Sequence, residues 1–139
     1  MRKSALIVSE TLGMLTEEIK PGVSPLHLDK LAEQFIRDNG AVPGFLGLYN
    51  CPSTLLTSVN EQVVHGIPTD KALEEGDIVS IDCGAVMNEF YGDHAFTFMV
   101  GDVAPETFQL LKVTYECLEK GIAECRKGNR IGDIGYAIE

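Results

Sequence analysis

The sequence predicts an α+β fold in which an antiparallel sheet carries helices packed on one face. Apolar residues recur at helical spacing near the amino terminus and again over residues 105–125. Between these stretches, two strongly apolar segments at residues 78–86 and 91–100 are separated by a few residues, which is typical of a β-hairpin. The chain has 139 residues, a length that suits one domain with a buried core.

Two helices are expected before residue 40. The first should cover about residues 3–19, and Pro21-Gly22 should end it. Its apolar face is formed by Val8, Leu12, Leu15 and Ile19. Ser24-Pro25 predicts the start of the second helix, because serine can cap a helix and proline needs no hydrogen-bond partner at the first position. Asn39-Gly40 predicts its end, because glycine accepts the left-handed conformation.

A loop and two extended segments should follow. Residues 41–53 show no periodicity and contain two prolines and two glycines. Because this loop also carries large apolar side chains, it must be covered or line a pocket. Residues 54–59 predict a strand, and residues 63–67 predict a second short extended piece.

The expected hairpin turns at Met87-Asn88 or at Asn88-Glu89. A third helix should run over about residues 105–125, and residues 131–139 look like the first turns of a fourth. Since natural domains rarely end inside an amphipathic helix, we expect the chain to be a fragment.

Composition excludes several classes of function. The net charge of −10, from 11 Lys+Arg and 21 Asp+Glu, repels a phosphate backbone and argues against direct nucleic-acid binding. No segment approaches the about 18 apolar residues of a membrane span. The four cysteines form no CxxC pair, which favours free thiols in a reducing cytoplasm.

Two aspartates are the most informative residues. Asp82 lies in a β-branched run, where a carboxylate costs free energy unless it is paired or bound to a metal. If the hairpin turns at Met87-Asn88, Asp93 lies directly opposite on the same face, with Cβ atoms about 5 Å apart. A divalent cation would remove the repulsion, and paired carboxylates suit Mn, Co, Fe or Zn. The alternative is that both aspartates face water at a strand end or on an edge strand.

His65 is the second candidate. It follows two valines and precedes Gly66-Ile67-Pro68, so it lies in a constrained extended segment. A neutral imidazole there could donate a hydrogen bond to a substrate carbonyl or a reaction intermediate. The alternative is a half-buried histidine satisfied by backbone. His27 and His94 are weaker candidates, because His94 should point to the opposite face from Asp93.

Together these segments resemble the bacterial type I methionine aminopeptidase family. The matching motifs are Lys20-Pro21-Gly22-Val23-Ser24, Phe45-Leu46-Gly47, Ser58-Val59-Asn60-Glu61, Val64-His65-Gly66-Ile67-Pro68, Gly76-Asp77-Ile78-Val79-Ser80-Ile81-Asp82 and Gly92-Asp93. The resemblance covers essentially the whole chain. It implies that residues 1–139 are the amino-terminal part of a single catalytic domain with a pita-bread (creatinase/aminopeptidase) fold, truncated before its second half.

The resemblance also implies a site with two divalent metal ions, which are Co, Mn, Fe or Zn. Asp82 would be a bidentate ligand of one ion, and Asp93 would bridge both. His65 would contact the substrate near the scissile amide. The methionine side chain would lie in a pocket lined by Phe45, Leu48, Cys51 and Leu56. The family often has aromatic residues at the positions of Leu48 and Cys51, so this chain departs from its pattern there.

The activity that the resemblance implies is removal of the initiator methionine from nascent proteins in the cytoplasm, with ribosome association as a further expectation. In the family, the second half supplies one His and two Glu as further ligands, a second histidine and the general-base glutamate. None of these is in residues 1–139, so we expect the isolated chain to be inactive.

Three alternatives stay open. Xaa-Pro aminopeptidases and creatinases use a similar metal site but usually carry a large extra amino-terminal domain. Non-catalytic binding proteins share the fold but lack the metal ligands. The fragment could also be a truncated product or folding intermediate without activity. The His-Gly-Ile-Pro segment argues against the first alternative, and the two aspartates argue against the second.

Overall fold

The computed structural model describes residues 1–139. Along the chain the elements are α1 (Arg2–Glu18), α2 (Pro25–Asp38), β1 (Val42–Pro43), β2 (Leu55–Val59), β3 (Ile78–Met87), β4 (Phe90–Met99), α3 (Pro105–Glu124) and α4 (Ile131–Ile138). The chain divides into two compact units, Met1–Val103 and Ala104–Glu139. The first unit contains the sheet, and the second contains α3 and α4.

The sheet is antiparallel and is organised around β3. On one side, β3 pairs along its whole length with β4. On its other side, β1 pairs with Ala85 and Val86, and β2 pairs with the residues from Val79 to Cys83. β1 and β2 therefore lie one after the other along the same edge of β3, while the long hairpin β3–β4 forms the rest of the sheet.

The two faces of the sheet have different environments. α1 packs against β3 and β4, and α2 packs against α1, β1 and β2. Alternate residues of β3 are buried beneath these helices: Val79, Ile81, Cys83 and Ala85. Because side chains alternate along a strand, Ser80, Asp82 and Gly84 lie on the opposite face. The predicted sheet with helices on one face is thus confirmed for the first unit.

Local signals explain the helix boundaries. The Ser24 hydroxyl accepts a hydrogen bond from the backbone N–H of His27 at 3.3 Å, and Pro25 occupies the first helical position of α2. The apolar face of α1 is buried at Val8, Leu12 and Leu15. These helices begin and end within a residue or two of the predicted positions.

In the second unit, α3 and α4 pack against each other at Gly121. A Cβ atom at this position would lie 2.9 Å from the Ile138 side chain, so the absence of a side chain allows the close approach. No helix in the structure combines the length and apolar character that crossing a membrane requires.

Candidate active site

The hairpin turn determines the relation between Asp82 and Asp93. Asn88 and Glu89 have φ values of 51° and 68°, as in a type I′ two-residue turn, whose twist matches that of the strands. Asp82 therefore pairs with Ala95, and Asp93 pairs with Gly84. Of the two turns that the sequence allowed, the structure has Asn88-Glu89, so the directly opposed pairing of a Met87-Asn88 turn is wrong, whereas the predicted location of both aspartates on one face of adjacent strands is confirmed. The two carboxylates lie on the same face of the sheet, but they are offset by two residues along the strands and are therefore diagonal neighbours. They are called the carboxylate pair below.

No lysine or arginine balances the charge of the carboxylate pair. Burial raises the pKa of the Asp82 carboxyl above its ordinary value, and the negative charge of Asp93 raises it further. Asp82 Oδ1 is buried and has no hydrogen-bond partner. No lysine or arginine lines the adjacent cavity. An unpartnered buried carboxylate oxygen beside a second carboxylate suits a bound divalent cation.

Few potential metal ligands lie near the carboxylate pair. No group of three or more His, Cys, Asp or Glu side chains lies close enough to hold a metal ion. Cys83 points into the core, where burial raises its thiol pKa to about 12 and keeps it protonated. The carboxylate pair thus offers two carboxylate groups, and no third His, Cys, Asp or Glu side chain completes a group of three beside them.

Phe45 closes one side of the site. The backbone N–H of Gly44 donates to the carbonyl of Gly84 at 2.8 Å, which extends the pairing of β1 with β3 into the loop. The Phe45 ring then lies directly over Gly84, where a Cβ atom would be 2.8 Å from the ring. Since Gly84 lies opposite Asp93, this aromatic ring stands beside the carboxylate pair.

The next part of the loop forms a wall. Leu48–Asn50 make a single 3₁₀ turn in which Tyr49 and Asn50 have positive φ values. The Cys51 thiol is half-buried and donates to the Ser53 carbonyl at 3.5 Å. The predicted loop therefore has a defined conformation, and its apolar residues line a cavity, as expected from their number.

Asp29 anchors this loop, although the sequence analysis did not single it out. Its Oδ1 accepts hydrogen bonds from the backbone N–H groups of Thr54 and Leu55 at 2.9 and 2.7 Å. Burial raises the pKa of the Asp29 carboxyl, although the two hydrogen bonds lower it. Its spacing from Pro25 and Ala32 puts a carboxylate on the apolar face of α2, and this signal could have identified it.

His65 approaches the site from the segment after β2. Its φ value is 61°, in the left-handed region that residues with a side chain rarely adopt. The following residue, Gly66, is bonded to β2 through its backbone carbonyl, which accepts from Thr57 N–H at 2.7 Å. The predicted extended piece is therefore bonded to β2, although it is not a regular strand.

One cavity brings the candidate residues together. It has a volume of about 590 Å³ and is lined by every residue that the sequence analysis assigned to the site: Phe45, Leu48, Cys51, Leu56, His65, Asp82 and Asp93. This space is called the site cavity below. Four lining residues were missed, namely Tyr49, Asn50, Pro52 and Ile67. His27 is exposed on α2, and His94 lies in a groove with residues of α1, so neither lines the site cavity.

The sequence matches a known family along its whole length. The profile of metallopeptidase family M24 matches residues 1–139. A methionine aminopeptidase of Clostridium acetobutylicum is 46% identical over 140 residues, an alignment that covers 100% of this chain and 56% of that protein. The chain spans about half the length of the curated relatives it matches.

Solved structures give the same fold. The crystal structure of methionine aminopeptidase from Rickettsia prowazekii superimposes with a TM-score of 0.96 at 42% identity, covering 99% of this chain and 55% of that chain. The prolidase of Pyrococcus furiosus has a TM-score of 0.83 at 20% identity, covering 98% of this chain and 39% of its own, and indicates the fold alone. The expected pita-bread architecture is confirmed. Residues 1–139 match about half of the Rickettsia prowazekii enzyme.

Proposed function

The chain belongs to metallopeptidase family M24, and from this premise we propose that residues 1–139 are the amino-terminal part of a methionine aminopeptidase catalytic domain. The complete domain would remove the initiator methionine from nascent proteins by hydrolysing the first peptide bond. One observation carries the proposal. The carboxylate pair shares a single cavity with His65 and with every apolar residue expected around a methionine side chain.

Asp82 and Asp93 would hold divalent metal ions, two of them in the complete domain. The residues fit this role because Asp82 Oδ1 is buried without a partner and because carboxylate oxygens bind divalent cations. When bound, the ions would lower the pKa of a water molecule and polarise the scissile carbonyl. Both aspartates would be ligands of these ions.

His65 would orient the substrate. Its imidazole lines the same cavity as the carboxylate pair, so it can donate a hydrogen bond to the carbonyl of the first peptide bond or to the charge that develops there. A positioned donor of this kind acts on the reacting carbonyl without being a metal ligand.

The methionine side chain would occupy the apolar side of the site cavity. Phe45, Leu48, Cys51 and Leu56 provide aromatic, aliphatic and thiol surface. Leu56 pairs with Asp82 across β2 and β3, so one wall of this pocket is next to the carboxylate pair. The first residue of a peptide can therefore be buried while its carbonyl lies beside the carboxylates.

The remaining machinery would come from a second half of the domain. Two carboxylates and one histidine do not complete a two-metal site, and the family resemblance assigns the general base to the second half. We therefore expect the isolated 139-residue chain to show no aminopeptidase activity at micromolar metal, and addition of the second half, in cis or as a separate chain, to restore it. The proposed cellular location is the cytoplasm, because nascent amino termini emerge from the ribosome there. Association with the ribosome would bring the enzyme close to these substrates. The acidic net charge gives no basis for direct nucleic-acid binding.

The proposal is tested with the full-length chain that carries these residues. Free methionine is measured after incubation with a Met-Ala peptide, with Co, Mn, Fe or Zn added in separate reactions and with a chelator as control. An Xaa-Pro peptide tests the related aminopeptidase and prolidase activity. Methionine release that needs metal supports the proposal. Hydrolysis of the Xaa-Pro peptide alone, or no hydrolysis with any of the metals, contradicts it.

A further inference from the structure

We propose that Ser58 is a positioning residue that acts through Gly66 to hold His65 beside the carboxylate pair. The inference rests on the proposed function, because it concerns how the histidine of that site is oriented. Ser58 lies on β2 and is 4% exposed. It pairs with Ser80 on β3, so both hydroxyls point to the face that carries Asp82.

The Ser58 hydroxyl is bonded to the His65 segment. Its Oγ accepts a hydrogen bond from the backbone N–H of Gly66 at 3.1 Å. The carbonyl of Gly66 accepts from the backbone N–H of Thr57 at 2.7 Å. Both polar backbone groups of Gly66 are thus held by two consecutive residues of β2. This pair of bonds is called the Gly66 clamp below.

The clamp requires glycine because the two backbones are in direct contact. A Cβ atom at residue 66 would lie 2.2 Å from the Thr57 carbonyl oxygen and 3.0 Å from the Ser58 Cα. No side chain fits into that space, so any larger residue would push the segment away from β2. The movement would be passed to His65, which is covalently joined to the clamped residue.

His65 depends on this support. Its own backbone has the left-handed φ value of 61°, a conformation that costs free energy and persists when neighbouring interactions hold it. No hydrogen bond to another residue fixes its ring. The position of the imidazole beside the carboxylate pair is therefore set mainly by the backbone, and the Gly66 clamp is the nearest structure that fixes that backbone.

The test compares two serines of the same sheet face in the full-length chain. Ser58→Ala removes the clamp hydroxyl, and Ser58→Thr keeps it. Ser80→Ala is the matched control, because the Ser80 hydroxyl bonds to Thr97 within the sheet at 2.7 Å. We expect Ser58→Ala to lower kcat for a Met-Ala peptide by about tenfold with little change in KM, since a small misplacement of a catalytic group reduces turnover. Ser58→Thr should recover most of the loss, and Ser80→Ala should match wild type.

A second readout does not depend on activity. Hydrogen exchange of the Gly66 amide should become faster in Ser58→Ala and stay unchanged in Ser80→Ala. Wild-type kcat in Ser58→Ala, an equal loss in Ser80→Ala, or unchanged Gly66 exchange would overturn the inference while leaving the proposed function intact. If wild type releases no methionine, the proposed function fails, and the exchange measurement still decides whether the clamp exists.

Discussion

The ring of Phe45 lies over the backbone of Gly84, at a distance that leaves no room for a β-carbon. An added Cβ would be 2.8 Å from Cε1 of the ring and 3.1 Å from Cζ. Gly84 is also the cross-strand partner of Asp93. The same glycine therefore determines where the aromatic wall of the site cavity stands relative to one of its two carboxylates.

Gly84→Ala should move the Phe45 ring and change the pocket. Because the ring is half-buried at the cavity wall, it can shift at a cost of about 1 kcal/mol in the free energy of unfolding. The displaced ring would intrude on the methionine side chain, so we expect KM for a Met-Ala peptide to rise about tenfold in the full-length chain. Steady-state kinetics and urea unfolding measure the two effects.

The matched control is Gly13→Ala. Gly13 lies inside α1, and nothing is within 4 Å of its added Cβ. This substitution should stabilise the fold by about 0.5–1 kcal/mol, because alanine loses less backbone entropy in a helix. Kinetic constants equal to wild type in Gly84→Ala would show that the Phe45 ring does not contact the substrate.

Asp82→Asn and Asp93→Asn should each weaken metal binding strongly in the full-length chain. An amide is neutral and is a poor ligand for a hard divalent ion. Calorimetric titration with Mn or Co measures the loss, and Asp70→Asn, at an exposed loop position, is the control. Unchanged metal affinity in both site variants would mean that the ions bind elsewhere.

His65→Ala should separate metal binding from turnover. The histidine lines the site cavity but is not expected to be a ligand, so metal affinity should stay near the wild-type value. We expect kcat to fall by about 10²-fold or more, as for a positioned acid–base or hydrogen-bonding group. The control variant is His27→Ala, which removes an imidazole from an exposed position on α2. A variant that keeps full kcat would remove His65 from the mechanism.

Asp29 should give the stability of the chain a recognisable pH dependence. Its pKa is raised above 3.8 in the folded state, so the native protein holds this proton longer than the unfolded chain does. Its contribution to stability is therefore present below about pH 3.8 and is lost as pH rises through the folded pKa. Both hydrogen bonds from Thr54 and Leu55 go to Oδ1, which leaves Oδ2 to carry the proton.

Urea unfolding of wild type and Asp29→Asn at several pH values tests this sign. The asparagine keeps an oxygen acceptor but does not titrate, so wild-type stability relative to the variant should fall as pH rises. Asp38→Asn, at the exposed end of α2, is the control. A relative stability that rises with pH would mean that the two hydrogen bonds outweigh burial.

Much of the fold could be predicted because side-chain patterns report burial directly. Val8, Leu12 and Leu15 are buried as their spacing indicates, and the strand around Asp82 lies where its apolar run predicts. The register of the β3–β4 hairpin was harder to predict from the sequence. The turn at Asn88-Glu89 needs two residues with positive φ, and neither is glycine, so the sequence did not choose between the two turns.

Some contacts between distant segments could not be predicted from local patterns, although the family resemblance did group the residues of the site cavity. Nothing in the residues near Phe45 indicates that its ring lies over Gly84, and Asp29 is 25 residues from the first backbone group that it binds. Such contacts depend on how β2 and the preceding loop pack against the hairpin. Local periodicity contains no information about that packing.

The most direct test of the account is the rate at which the full-length chain and its Asp93→Asn variant release methionine from a Met-Ala peptide at saturating metal. Asp93 is proposed as a metal ligand, so its loss should abolish turnover even where the variant folds normally. We predict metal-dependent release by wild type and none by Asp93→Asn. Full activity in Asp93→Asn would show that the carboxylate pair is not the catalytic site and would contradict the account.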